Sequence, residues 1–254
     1  MRGTVERSLN ATHLEETMRR HLTTAAFSLA AMSWTLGQAL LPDMGTDTGS
    51  RYDAVAASPA LESLSAGLLV LAGVFLVLGS IAACYHLSTL AGTKGRRLML
   101  AGTALTGLGG LWLVGGRAAF NLMFVRIVET ESLTRSTALE LLDSSGGPGF
   151  VPLVLMLPCL LLGPVLLTVG LKRAALAGWL PLAAWLLGIA TFLGTEFQIK
   201  AAETAGIAIA GLALVLAARA LDAAPAPATT VPAHETTATL HAPHPTPSNS
   251  RQPA

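Results

Sequence analysis

The chain has 254 residues, of which 52% are apolar and only 12% are charged, and its formal net charge is +1. A soluble domain carries about twice that charged fraction. The net charge says little about partners until it is divided between the two sides of a membrane, and no nucleic-acid partner is expected. This composition excludes an ordinary soluble domain and favours an integral membrane protein.

Six apolar stretches follow one another along the chain. A bilayer span needs about 20 apolar residues, and the candidate spans cover residues 22–41, 64–85, 98–116, 150–171, 174–193 and 205–218. The sequence therefore predicts an all-α polytopic transmembrane bundle of six helices within residues 21–221. A short tail, residues 1–20, precedes this bundle.

The connections between the spans alternate in charge. With the N-terminus placed inside, 11 of the 16 basic residues fall on the cytoplasmic side. An excess of Lys and Arg in short loops marks the cytoplasmic side of a membrane protein. We therefore expect both termini to be cytoplasmic. The preference for Arg over Lys and the abundance of Ala, Gly and Leu are typical of a high-GC bacterium, which predicts a bacterial plasma membrane.

The first outer connection, residues 42–57, reads as a loop, and Ser58-Pro59 is typical of a helix start. The third span is unusual because the apolar character continues from Leu98 to Val128. Either this helix tilts and protrudes from the bilayer, or it breaks at Gly115-Gly116. We expect an outer loop over residues 117–148 that contains a short amphipathic helix near 138–143.

The later segments carry prolines and then a change of composition. Pro158 is expected to kink the fourth span and Pro181 the fifth. Residues 222–254 are rich in Pro, Ala, Thr, Ser and His, which predicts a disordered cytoplasmic tail. Cys84 and Cys159 lie at different depths, so they are expected to remain free thiols.

Polar residues that could form a ligand site gather at the outer rim of the bundle. Arg117 and Asn121 lie one helical turn apart, and Glu196 is expected near them at the end of the fifth span. A structural alternative is that Arg117 pairs with Glu196 to close the bundle. Gln38 is expected at about mid-depth in the first span, either as an interhelical hydrogen-bond donor or as part of the site.

Other kinds of site are not supported by the sequence. No ionisable residue lies near the middle of a predicted span, which argues against a proton-coupled transporter or an ion pump. His21 and His86 could bind haem iron, but histidines near a membrane surface are not specific for haem. The histidines of the tail could form a metal-binding tract, and that pattern is not specific either. The prediction is therefore no metal, no cofactor and no catalytic residue.

The chain carries a Gly/Asp loop after the first span, the turn Gly95-Arg96-Arg97, and the runs Gly147-Pro148-Gly149-Phe150, Leu162-Gly163-Pro164 and Gly170-Leu171-Lys172. On these motifs and on its organisation, the chain resembles uncharacterised six-helix membrane proteins of high-GC bacteria, of the domain-of-unknown-function kind. The resemblance covers about residues 20–220 and implies no known activity.

Three functional hypotheses follow. The first is a non-enzymatic membrane protein that binds lipid, a small apolar ligand or a partner membrane protein, including a second copy of itself. The second is a transporter or permease subunit for a small molecule, and the third is an intramembrane enzyme. The absence of mid-membrane charge favours the first hypothesis over the second, and the absence of a catalytic motif disfavours the third.

Overall fold

The computed structural model describes the backbone of residues 2–42, 47–90, 92–144, 151–194 and 199–224, and side chains from residue 21 onward apart from residue 153. These ranges are helical, with no strand. The helices are α1 (Arg2–Leu40), α2 (Thr48–Ala57), α3 (Pro59–Thr89), α4 (Arg96–Trp112), a π-helical segment (Leu113–Ala118), α5 (Ala119–Val128), α6 (Arg135–Ser144), α7 (Val151–Arg173), α8 (Leu180–Gly194) and α9 (Lys200–Asp222).

The long helices have the length and composition of membrane spans. Within the described ranges, four stretches are long and apolar enough to cross a bilayer: Pro59–Thr89, Arg96–Val128, Val154–Arg173 and Lys200–Asp222. Large apolar side chains such as Leu71, Leu78 and Ile81 of α3 are exposed on the outside of the bundle, as expected of a surface that faces lipid. The described part of the chain is all-helical, and its four long apolar helices indicate a membrane protein. The count of six spans stays a prediction, because α8 has only 15 residues and α1 is not among the four.

The third span does not end where the sequence indicated. The predicted span 98–116 and the first part of the predicted loop 117–148 form one helical rod from Arg96 to Val128. The rod neither stops nor breaks at Gly115-Gly116 but widens there into the π-helical segment. Glycine weakens the α-helical preference of this stretch because it lacks a β-carbon, and π segments are local insertions inside α-helices. Arg117 therefore lies inside a helix and not in a loop.

Two other connections also differ from the sequence prediction. The loop predicted over 42–57 contains α2, whose first turn is capped by Asp47 accepting from the Ser50 N–H at 2.9 Å. Helix α3 does begin at Pro59, although the Ser58 side chain makes no capping bond. Helix α8 starts at Leu180 and not at 174, because the chain turns after α7 through Ala175 at φ 58°. Pro181 is thus at the start of a helix, where it causes no kink.

The structure describes most of the predicted N-terminal tail but only the first three residues of the predicted C-terminal tail. Helix α1 begins at Arg2, so residues 2–20 continue the first span as helix. The predicted disordered tail 222–254 lies outside the described residues from 225 onward, and residue 222 is the last residue of α9.

The six long helices pack side by side in an open ring. Going round the ring, α8 packs on α9, α9 on α1, α1 on α3, α3 on α4 and α4 on α7, whereas α7 touches α8 and α9 only lightly. The buried core includes Phe27, Leu76, Met99, Leu167 and Trp185. We call the end that carries α2 and α6 the capped end, and the opposite end, with the turns 92–95 and 174–179, the hairpin end.

Glycine sets the closest contacts between helices of the ring. A β-carbon on Gly102 of α4 would lie 2.6 Å from the Gly163 oxygen of α7, and one on Gly163 would lie 2.7 Å from the Thr106 nitrogen. Gly188 of α8 and Gly206 of α9 approach each other in the same way. Small residues that permit such backbone contact are the usual means of helix association in lipid.

We expect Gly102→Ala and Gly163→Ala each to destabilise the protein by about 1–3 kcal/mol, because the added methyl group meets backbone that cannot move aside. The measurement is equilibrium unfolding in detergent with increasing SDS. Gly67→Ala in α3 is the matched control, since a β-carbon there meets nothing within 4 Å. Equal midpoints for Gly67→Ala and Gly163→Ala would contradict the close packing of α4 on α7.

Candidate functional site

The capped end is closed by α2 and α6, which are tied to each other by polar contacts. Arg135 of α6 donates two hydrogen bonds to the Asp53 carboxylate of α2, at 3.0 and 2.8 Å. The hydrogen bond from Arg135 lowers the pKa of Asp53. Thr48 donates to Asp143 at 2.7 Å. These bonds hold α2 and α6 together as a cap over the bundle.

A small apolar cluster fixes the cap to α5. It contains Val55 of α2, Phe124 and Val125 of α5, and Leu142 of α6, all of them buried. Short helices such as α2 and α6 depend on this kind of packing for their stability. The cluster therefore sets the position of α2, and with it the position of Arg51.

Arg51 points from the cap toward α5. Its guanidinium lies 4.9 Å from the centre of the Phe120 ring and 4.4 Å from that of Phe124, within the range of cation–π attraction. Its Nη2 donates to the Asn121 Oδ1 at 3.2 Å. Burial, together with the positive charge of Arg117, lowers the pKa of Arg51 to about 10, while Glu62 opposes that shift. Arg51 therefore remains a cation at neutral pH.

Glu62 lies in the first turn of α3 and is 0% exposed. Its charge interacts with those of Arg51 and Arg117. Neither of its carboxylate oxygens has a hydrogen-bond partner among the described residues. A buried carboxylate without hydrogen bonds is costly unless opposite charges lie close by, and Arg51 and Arg117 offset part of that cost.

Gln38 and Glu203 join α1 to α9 at the same end of the bundle. The Gln38 Nε2 donates to the Glu203 Oε2 at 2.8 Å, and both side chains are buried, at 7% exposure each. Glu203 also interacts electrostatically with Arg117. At the hairpin end the same two helices are joined again, because Asp222 accepts from the Thr24 backbone N–H at 3.0 Å and from its hydroxyl at 2.6 Å.

These contacts define a polar cluster at the capped end. Its members come from six helical segments and are Gln38, Arg51, Glu62, Arg117, Asn121 and Glu203. Two of them are arginines and two are glutamates, so the cluster is electrically balanced when all four are ionised. Arg117 is central because it interacts with the charges of both Glu62 and Glu203.

A cavity of about 400 Å³ adjoins the polar cluster. It lies between α7 on one side and α8 and α9 on the other, where the ring of helices is loosest. Gln38 and Arg117 line one part of it, and the other lining residues are apolar or glycine: Trp34, Leu69, Leu113, Val154, Met156, Leu157, Leu160, Leu161, Ile189, Phe192, Leu193, Gly206, Ile207 and Ala210. The arrangement is that of an apolar chamber with a cation at one end.

The structure brings three of the four predicted site residues together. Gln38, Arg117 and Asn121 belong to the polar cluster, whereas Glu196 lies outside the described residues, so its predicted contact with Arg117 does too. Gln38 is not at mid-depth as expected but in the last turn of α1. The role of Gln38, Arg117 and Asn121 in binding a ligand stays a prediction.

Three residues of the cluster, Arg51, Glu62 and Glu203, were not among the predicted site residues. The sequence predicts a loop around Arg51 and places Glu62 before the second span. A signal for Glu62 was present, because it shares a helical face with Ser65 and Leu69, which are also buried. A charged residue in phase with a buried face indicates a polar interior.

Comparison with known protein families, with curated proteins and with solved structures gives no match to this chain.

We expect Gln38→Leu to lower the free energy of unfolding by about 1–3 kcal/mol, because it leaves the buried Glu203 carboxylate without its hydrogen-bond donor. The double variant Gln38→Leu/Glu203→Leu should recover much of that loss, since both polar partners are then absent. The measurement is a double-mutant cycle by SDS unfolding in detergent. Strictly additive effects of the two substitutions would contradict the coupling of α1 to α9 through this pair.

Proposed function

We propose that this chain is a multi-pass membrane protein that binds an amphipathic molecule taken from the bilayer. The observation that carries this proposal is the cavity between α7, α8 and α9, apolar along most of its wall and lined by Arg117 and Gln38 at one part. Its volume is within the range of about 300–1,000 Å³ that is typical of small-molecule sites.

The position of the cavity supports entry from the lipid. Val154 and Leu157 of α7 and Leu193 of α8 line the cavity and are also exposed on the outside of the bundle. Since α7 and α8 touch only lightly, an apolar chain can pass between them without crossing water. The apolar wall favours this proposal over a permease for polar solutes, which would need a polar path.

Occupancy of the cavity is tested with a long-chain alcohol that carries a diazirine on its chain, added to the protein in lipid nanodiscs and activated by light. We expect labelled peptides from α7, α8 and α9. Leu161→Trp fills the cavity and is expected to reduce labelling several-fold.

Leu162→Trp is the matched control, because Leu162 is the next residue of α7, is 54% exposed and does not line the cavity. It should label like the unmodified protein. Equal labelling of the Leu161→Trp and Leu162→Trp variants would count against the cavity as the binding site.

We further propose six spans in a bacterial plasma membrane, with the hairpin end and both termini in the cytoplasm. The distribution of Lys and Arg supports this orientation: the turns and helix ends at the hairpin end hold Lys94, Arg96, Arg97, Lys172, Arg173 and Arg219. The resemblance to uncharacterised six-helix membrane proteins of high-GC bacteria is consistent with this proposal.

The orientation is tested by labelling intact cells with a membrane-impermeant maleimide, after Cys84 and Cys159 are changed to Ala. Ser132→Cys, in the connection between α5 and α6, should react from outside the cell. Thr93→Cys, at the hairpin end, should react only after the membrane is permeabilised. The reverse pattern would place the capped end in the cytoplasm and contradict the proposal.

A further inference from the structure

Among the four charged residues of the polar cluster, only Arg117 also lines the cavity. Glu62 and Glu203 interact with it electrostatically but are not part of the cavity wall. Within the described residues, no hydrogen bond uses the Arg117 guanidinium; Arg51, by contrast, donates to Asn121, and Glu203 accepts from Gln38. Arg117 is therefore the charged residue of the cluster that a molecule in the cavity would meet.

From this arrangement we infer that the ligand carries an oxyanion, a carboxylate or a phosphate, at one end of a single long apolar chain, and that Arg117 binds this group. The inference rests on the proposed function and narrows its ligand class. An arginine presents several N–H donors in a planar fork that matches two oxygens of a carboxylate or phosphate. A neutral alcohol head gains only one ordinary hydrogen bond from the same group, and an ammonium head is repelled.

Two acidic residues stabilise the positive charge of Arg117 when no ligand is bound. The acidic groups Glu62 and Glu203 attract the Arg117 cation and offset part of the cost of burying it. An oxyanion in the cavity would compete with these two carboxylates for Arg117. Arg51, which also interacts with Glu62, remains as a second cation to compensate the glutamate.

The test compares four diazirine-bearing amphiphiles of equal chain length in nanodiscs, with a carboxylate, a phosphate monoester, an alcohol or an ammonium head. The readout is the mole fraction that gives half-maximal labelling of α7, α8 and α9. We expect the carboxylate and the phosphate monoester to need about tenfold less than the alcohol, the size expected for charge-assisted hydrogen bonds.

Arg117→Gln should abolish the preference for an anionic head, so that the carboxylate and the phosphate monoester need the same mole fraction as the alcohol. Labelling by the alcohol in this variant shows that it is folded. Arg117→Lys should retain part of the preference. Arg126→Gln is the matched control, because Arg126 lies on α5 and is an exposed partner of Glu129 at 3.6 Å, away from the cavity. It should behave like the unmodified protein.

Glu62→Gln removes an acid that competes for Arg117, so binding of the carboxylate should be tighter, whereas unchanged or weaker binding would contradict the competition. A separate arm adds inorganic phosphate, and competition by phosphate alone would show that the site takes a free anion and overturn the amphiphile assignment.

The possible results separate the inference that Arg117 binds an oxyanion from the proposed function, which is that the cavity binds an amphipathic molecule. Equal labelling by the alcohol and the carboxylate in the unmodified protein overturns the inference but leaves a ligand cavity. An anionic preference that survives in Arg117→Gln overturns the role of Arg117. If none of the four amphiphiles labels the cavity walls, the proposed function itself is wrong.

Discussion

The close approach of small residues determines how this bundle is built. Helices in lipid gain no hydrophobic free energy from leaving one apolar medium for another, so they associate where backbones can touch. Glycine supplies that contact between α4 and α7 through Gly102 and Gly163, between α8 and α9 through Gly188 and Gly206, and between α3 and α4 through Gly73 and Gly110. Among the described glycines, none brings α7 and α8 together. The ring is therefore tight around most of its circumference and loose at one seam, and the cavity lies at that seam.

The charged residues follow from the same geometry. An arginine and glutamates inside an apolar bundle are stable only when they compensate one another. The capped end allows this because three separate features converge there: the π-helical segment that carries Arg117, the cap that brings in Arg51, and the first turns of α3 and α9 that carry Glu62 and Glu203. Since π segments occur often at functional sites, the placement of Arg117 within one is consistent with a role in the cavity beyond packing.

Much of the fold could be predicted from the sequence because it depends on local patterns. Apolar runs, basic turns and the Ser58-Pro59 helix start are all visible along the chain, and α3 does begin at Pro59. The helix α2 was not predicted because its Gly, Asp and Thr residues favour a loop. In the structure it is stabilised by the packing of Val55 against α5 and α6. The π-helical segment was missed for a similar reason, since a Gly-Gly pair followed by Arg117 resembles the end of a span.

The candidate site was harder to predict from the sequence than the fold. Arg117, Asn121 and Gln38 could be chosen from the sequence as polar residues near the ends of apolar runs. Their partners could not, because the Gln38–Glu203 bond joins residues 165 positions apart and the Arg51–Asn121 bond joins residues 70 apart.

Two pairs of residues join α1 to α9 and help to build one wall of the cavity. Gln38–Glu203 and Thr24–Asp222 fix these helices to each other at both ends, while α8 is held to α9 by glycine contacts. The three helices α1, α8 and α9 thus form one wall of the cavity that is held together independently of α7. A ligand that separates α7 from α8 would disturb neither the glycine contacts nor the polar bonds of that wall. The proposed entry of a ligand from the bilayer would therefore require movement only at the seam that is already loosest.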